Sequence, residues 1–163
     1  MEDPRGMDPA ELTADQNGRL YSLYQHWLGA RNPEGLVPKS AFDAFAIMPW
    51  LGLVSIYQRL AEDYVIRLDG TEIVRMTGED WTGKTVAALD ARYGLKLGES
   101  LAIAVEEQRA VYHPVRHLAA RPHFTAARLL LPVSADGATI THVVMSLIPN
   151  EKEPASVVTP ALY

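Results

Sequence analysis

Apolar residues recur with helical spacing near the start of the chain. Counted from the first of them, they stand at i, i+3, i+4, i+7 and i+8, which is one face of an α-helix. They are Leu20, Leu23, Tyr24, Trp27 and Leu28. We predict that this face packs either on the chain's own sheet or across a dimer, where Leu20, Tyr24, Trp27 and Leu28 would form the contact. Lys and Arg are too sparse here for a membrane-surface helix.

The sequence offers two possible starts for this helix and one end. Two capping patterns precede it, Asp8-Pro9-Ala10-Glu11 and Thr13-Ala14-Asp15-Gln16, and the pattern alone leaves both starts open. Gly29, Pro33 and Gly35 end it. We therefore predict a loose tail over residues 1–8 and a helix with its linker over residues 9–38.

The rest of the chain changes period from helix to strand and back. Ser40-Ala-Phe-Asp43 resembles a capping box and predicts a short helix that stops before Pro49. At Asp69-Gly70 the pattern fits either a hairpin into a strand over 71–76 or the start of a helical turn. The further predicted elements are strands over 53–60, 64–68, 111–118, 124–133 and 140–148, and helices over 85–93 and 99–109.

Strands grouped at both ends with short connections predict an α+β domain, an antiparallel sheet with helices beside it. The 163 residues suit one domain. We place this domain at residues 39–149, followed by a loose tail over residues 150–163.

Charge and composition exclude several classes of protein. A net charge of −5 argues against broad nucleic-acid binding, which needs clustered Lys and Arg. The absence of cysteine excludes disulfides and thiolate metal sites. The start has no apolar signal-peptide core, and no apolar run approaches the length a bilayer needs. We expect a cytoplasmic protein with no membrane partner.

Two motifs resemble those of the PAS domain family. The first runs Tyr64-Val-Ile-Arg67-Leu-Asp-Gly70-Thr71 and continues as Met76-Thr-Gly78-Glu-Asp-Trp81-Thr-Gly83-Lys84. The second, Leu131-Pro-Val-Ser-Ala-Asp136-Gly137, resembles the turn between the last two PAS strands. With the Trp-containing helix before them, they look most like a small single-domain alphaproteobacterial PAS subgroup.

The resemblance implies a five-stranded antiparallel sheet with flanking helices, an extra N-terminal amphipathic helix, and a short helix after Gly70. PAS domains are sensory and interaction modules, some of which hold a cofactor or small ligand. Without cysteine, a cysteinyl-flavin adduct is excluded. Because helix 99–109 carries no histidine, the best-known mode of haem ligation is disfavoured, and the cofactor stays unknown. No output segment follows the last strand, so we expect a partner in trans, by analogy a kinase or response regulator.

Five residues are candidates for lining a ligand pocket: Arg67, Trp81, Tyr112, His113 and Arg128. An arginine in an apolar strand either pairs with an acid or meets an anionic ligand. For Arg67, the candidate acidic partners are Asp80 and Glu62. Trp81 and Tyr112 offer aromatic area with a polar handle.

Two further patterns point to enzyme or metal chemistry, and both are weak. Gly78 to Thr85 matches the letters of a P-loop, but a P-loop follows a buried parallel strand and opens a long helix. His113, His117 and His123 lie close in sequence without a carboxylate to complete a metal set. We therefore predict no enzyme and no metal. The leading hypothesis is a sensory module that binds a small ligand, a protein partner, or both, and acts as a homodimer; the alternative is a ligand-free dimerisation adaptor.

Overall fold

The computed structural model describes residues 3–12, 14–118 and 121–150. The tail predicted after residue 150 lies outside the described residues. Short 3-10 helices occupy Pro9–Glu11, Lys39–Phe42 and Met48–Trp50. The longer elements are helices α1 (Ala14–Gly29), α2 (Thr71–Thr77), α3 (Val86–Tyr93) and α4 (Leu97–Glu106), and strands β1 (Val54–Arg59), β2 (Tyr64–Leu68), β3 (Val111–Leu118), β4 (Arg121–Val133) and β5 (His142–Pro149).

The five strands form one antiparallel sheet in the order β2-β1-β5-β4-β3. The central strand β5 is buried at every position from Val143 to Ile148. Side chains alternate between the two faces of a strand, so both faces of the sheet are covered. The predicted α+β class, with a five-stranded antiparallel sheet and flanking helices, is confirmed.

Helices cover the sheet on its two faces. Helix α1 packs against β4 and β5, and the indole N–H of Trp27 donates to the carbonyl oxygen of Pro132 at 2.9 Å. Helix α4 packs against β3, β4 and β5, while α3 contacts β2 and α4. Leu20, Leu23 and Leu101 are among the large side chains that are fully buried in this core.

A buried asparagine sets the start of the regular part of α1. Asn17 has non-helical backbone angles, and its side-chain oxygen accepts from the Leu20 N–H at 3.2 Å. This is the geometry of a helix N-cap. The amide nitrogen of the same side chain donates to the Ile148 carbonyl oxygen at 2.9 Å. Asn17 therefore joins the start of α1 to the end of β5.

The short helix after Gly70 is confirmed as α2, and the alternative hairpin is excluded. The reason is a close backbone approach, because a Cβ atom on Gly70 would lie 2.4 Å from the Gly52 carbonyl oxygen. Only glycine fits at such a contact. The β4–β5 turn is also where the motif placed it, since the Asp136 carboxylate accepts from the Ala138 and Thr139 N–H groups.

The helix predicted from Ser40 is wrong in kind and in extent. The chain makes a four-residue 3-10 helix that begins at Lys39, so Ser40 is not its cap. The element does stop before Pro49, as predicted, and Pro49 itself lies in a second 3-10 helix. Proline is tolerated in the first turn of a helix, where its missing N–H would have no partner.

The segment before Pro9, predicted to be a loose tail, lies along the edge strand β3. Met7 and Tyr112 exchange backbone hydrogen bonds of 2.7 and 3.2 Å. Asp8 then caps the first 3-10 helix by accepting from the Ala10 N–H at 2.9 Å. The pairing partly covers an edge that would otherwise present free backbone groups.

Candidate functional site

The predicted pocket residues fall at separate places on the sheet. Arg67 lies on β2, at one edge, whereas Tyr112 and His113 lie on β3, at the other. The Arg67 side chain is exposed, and its Nε donates to Gln58 Oε1 at 2.6 Å. This partner is neither of the acids that the sequence suggested.

Trp81 is buried under a small cluster beside α3. Its ring meets Tyr93 edge to face at 5.9 Å between centroids, and the Lys84 ammonium lies 4.7 Å above it. The Tyr93 hydroxyl donates to Glu79 Oε2 at 2.6 Å, and this bond holds the pKa of the Glu79 carboxyl below its usual range. Lys84 and Tyr93 together cover the indole from the solvent side.

His113 and Arg128 face each other across β3 and β4. His113 is buried, and its Nε2 lies 3.1 Å from the Asp3 carbonyl oxygen. Its Nδ1 has no hydrogen-bond partner among the residues that the structure describes. Burial first, and then the Arg128 guanidinium, lower the pKa of His113 to about 4. The imidazole is therefore neutral near pH 7.

Helix α1 turns two of its four candidate contact residues inward. Leu20 and Trp27 are buried within the chain, while Tyr24 and Leu28 keep partial exposure. Tyr24 stacks on Trp27 with a centroid distance of 6.1 Å and an interplanar angle of 19°. Only Tyr24 and Leu28 offer surface to another molecule.

The P-loop letters have another structural role here. The Gly83 N–H donates to the Ile66 carbonyl oxygen at 2.7 Å, so this part of the loop is paired with β2. The Thr85 hydroxyl caps α3 by accepting from the Ala88 N–H at 3.2 Å. These bonds occupy groups with which a P-loop would bind phosphate.

Within the described part of the chain, no group of three His, Asp or Glu side chains could hold a metal ion. The side chains of His117 and His123 lie outside it. No helix in the described ranges is both long and apolar enough to cross a membrane.

Sequence reasoning missed a pair of apolar rows in the segment 45–53. The Met48 N–H donates to Phe45 O at 3.4 Å, and the Leu51 N–H donates to Met48 O at 3.3 Å. Met48 lies in the 3-10 helix Met48–Trp50, and Phe45 and Leu51 lie in the turns on either side of it. We call Phe45, Met48 and Leu51 the outer row; they are 86%, 58% and 59% exposed.

The inner row comprises Ile47, Trp50 and Leu53, which follow the same period of three. The Trp50 N–H donates to Ile47 O at 2.8 Å, and the Leu53 N–H donates to Trp50 O at 2.9 Å. These side chains are only 3%, 8% and 5% exposed. One segment therefore carries apolar side chains toward the core and toward solvent.

Helix α1 fixes this segment in place. The Trp50 indole N–H donates to the Arg19 carbonyl oxygen at 2.8 Å, and the Arg19 guanidinium donates to Pro49 O at 2.8 Å. His26 lies against Trp50, with ring centroids 5.5 Å apart. These contacts with α1 therefore fix the backbone that carries the outer row.

A signal for the outer row exists in the sequence. Phe45-Ala-Ile-Met-Pro-Trp-Leu51 has no charged residue, which is more apolar surface than one buried face requires. Its period of three falls between the periods of an α-helix and a β-strand, so neither of these two patterns reveals it.

Solved structures similar to this chain exist, and one of them can be described. A solved chain described as an RNA-binding Light-Oxygen-Voltage receptor superposes with a TM-score of 0.49 and 20% identity. The match covers 72% of this chain and 35% of that chain, so it spans about a third of the other protein. No family model and no curated protein matches the chain. The five antiparallel strands with β5 at the centre, and the helices that flank them, are the arrangement that the PAS resemblance implied.

Proposed function

We propose that the chain is a sensory and signalling module of the PAS fold that acts through a protein contact at the outer row, with a second copy of the chain as the occupant. The observation that supports this is the exposure of Phe45, Met48 and Leu51 within a single short segment. Contiguous exposed apolar surface on a globular domain commonly marks an interaction site.

The energetics favour covering this row. Full burial of one large apolar side chain stabilises a complex by about 1.5–3 kcal/mol relative to leaving it exposed. Three such side chains provide a driving force comparable with the centre of a small interface, before the cost of association.

The chemistry of the row suits a second copy. A two-fold dimer places the same patch against itself, so the patch must be compatible with its own chemistry. The outer row is uncharged, and the residues on either side of Phe45, Ala44 and Ala46, are small. Two such rows can approach without like-charge repulsion.

Signal transfer through such a contact is a shift of population. A ligand or partner that binds one arrangement of the dimer better than another changes the balance between them. A kinase or a response regulator bound in trans, and a small ligand, belong to the proposal as the inputs and outputs of the same module.

The test is the oligomeric state measured by light scattering over a range of concentrations. The test variant is Phe45→Ser/Met48→Ser/Leu51→Ser, and the matched control is Leu60→Ser/Leu68→Ser, which removes exposed leucines elsewhere. We expect a dimer for the wild type and the control, and a folded monomer for the test variant, with circular dichroism confirming the fold.

Two results would overturn the proposal as stated. A wild type that stays monomeric up to millimolar concentration would remove the second copy as the occupant. A test variant that remains dimeric would place the dimer contact elsewhere, with Tyr24 and Leu28 as the next surface to test.

A further inference from the structure

A groove lies between the N-terminal segment, helix α1 and the turn from α4 to β3. Its volume is about 350 Å³. This is the lower end of the range for pockets that take small molecules. The groove is separate from the outer row and from the predicted pocket residues.

One wall of the groove is apolar and aromatic. It is formed by Tyr24, Trp27 and Leu28 on α1. Tyr24 stacks near-parallel on Trp27, and because Trp27 is almost fully buried, the Tyr24 ring supplies most of the aromatic surface of this wall. Flat aromatic surfaces favour planar ligands, which pack on them in offset or edge-on arrangements.

The rim of the groove is cationic. Arg5, Arg31 and Arg109 all line it. The Glu107 carboxylate accepts from Arg5 Nη2 at 2.7 Å and from Arg109 Nε at 2.5 Å, so it holds two of these guanidinium groups in place. Against Asp8 and Glu107, the three arginines leave one positive charge in excess on a chain whose net charge is −5.

Arg31 is the arginine best placed to meet a ligand. Its guanidinium carbon lies 5.4 Å from the Trp27 ring centroid, so it borders the aromatic wall directly. It makes no ion pair with a carboxylate among the described residues. Its Nε donates to the Gly35 carbonyl oxygen at a long 3.4 Å.

Two other groups in the groove fit a binding role. The Tyr24 hydroxyl carries its proton at neutral pH, as an ordinary tyrosine does, and can donate to an anion; burial, with Asp8 adding to the effect, raises its pKa further. Gln108 also lines the groove and has a φ of +51°, in the left-handed region that side chains other than glycine seldom adopt. Such strain is found disproportionately at functional sites.

We infer that this groove binds a small aromatic monocarboxylate, whose ring packs on the half-buried Tyr24 beside the edge of Trp27 and whose carboxylate is held by Arg31. Guanidinium and carboxylate match each other in geometry and can form two parallel hydrogen bonds. The single positive charge in excess suits a monoanion, because a dianion would compete with Glu107 for Arg5 and Arg109.

The test is a titration with indole-3-carboxylate, followed by calorimetry and by the indole N–H signals of the ¹⁵N-labelled protein. Indole-3-carboxamide keeps the ring without the charge, and acetate keeps the charge without the ring. We expect saturable binding of the carboxylate with a dissociation constant below about 1 mM. The Trp27 indole signal should move, and those of Trp50 and Trp81 should not.

The variant Arg31→Gln should weaken this binding by about tenfold, equivalent to about 1.4 kcal/mol. The matched control is Arg92→Gln, because Arg92 also lies over an aromatic ring, at 5.1 Å from Tyr93, but far from the groove in sequence and fold. Four results would each overturn the inference: no binding by the folded protein, equal binding of the carboxamide, an unchanged affinity in Arg31→Gln, or shifts at Trp81 in place of Trp27.

Discussion

The inner and outer rows of residues 45–53 share a backbone and a composition but differ in what surrounds them. Trp50, in the inner row, is enclosed by α1, which receives its indole hydrogen bond at Arg19. Phe45, in the outer row, is 86% exposed. Side-chain chemistry alone therefore does not distinguish a residue that holds the fold from one that is available to a partner.

Tertiary packing therefore gives the two rows of this segment different roles. The segment is a short 3-10 helix, Met48–Trp50, with a turn on either side, and its apolar residues differ in burial rather than in chemistry. The inner row closes the core beneath α1, while the outer row remains uncovered within the chain. The two rows should then respond to mutation in opposite ways, one in stability and the other in association.

The largest expected effect comes from breaking the inner row. Trp50→Ala removes a buried ring, its packing against His26 and its hydrogen bond to Arg19. We expect a loss of about 3–5 kcal/mol in the free energy of unfolding, measured by urea denaturation. A loss below about 1 kcal/mol would show that the inner row does not support the core.

The next effect concerns the support that α1 gives to the inner row. Asn17→Ala removes the N-cap of α1 and the bond to the Ile148 carbonyl oxygen. We expect a loss of about 2 kcal/mol, because a cap is lost and a buried acceptor loses its donor. The variant Asn17→Asp keeps the cap but not the amide donor, so an intact stability in that variant would contradict the role assigned to the bond to β5.

Lowering the pH should reduce the stability of the fold without changing the contact at the outer row. The pKa of His113 is about 4 in the folded chain and near 6.5 when unfolded, so the unfolded state binds the proton more tightly. Stability that is present above pH 6.5 is therefore lost progressively as the pH falls toward 4. Between pH 7 and 5.5 the expected loss is about 1 kcal/mol.

The control for this effect is His113→Gln, which should flatten the pH dependence of the unfolding midpoint over the same window. The outer row contains no titratable side chain, so the dimerisation constant should change little while the protein stays folded. An unfolding midpoint that falls equally in the wild type and in His113→Gln would remove His113 as the cause.

The smallest expected effect on stability is at the outer row itself. Phe45→Ala removes an exposed ring, and the free energy of unfolding at low protein concentration should change by no more than about 0.5 kcal/mol. The same variant should weaken self-association, measured by sedimentation. A stability loss as large as that of Trp50→Ala would mean that Phe45 packs within the chain.

Much of the fold could be predicted because local patterns and tertiary packing agree there. The strand pattern of Tyr64–Leu68, the helical pattern over residues 85–93 and the Asp136 turn each predict local structure that the folded chain keeps. The helix at Gly70 needed the family resemblance, since its decisive cause is the close approach of Gly52, which is distant in sequence.

The sites were harder to predict because they depend on where elements meet. Arg67 donates a hydrogen bond to Gln58 on the adjacent strand. His113 lies against the Asp3 carbonyl oxygen, in a segment that was predicted to be a loose tail. The groove at Arg31 joins side chains from three separate parts of the chain. No local sequence pattern predicts such contacts between distant segments.

The most direct test of the outer row is a filtered NMR experiment on a mixture of methyl-labelled and unlabelled chains. Met48 is 58% exposed, whereas Met76 and Met145 are buried and serve as internal controls in the same spectrum. The account predicts contacts between copies at the Met48 methyl group and none at Met76 or Met145. A dimer that shows no such contact at Met48 would contradict the claim that the outer row joins the two copies.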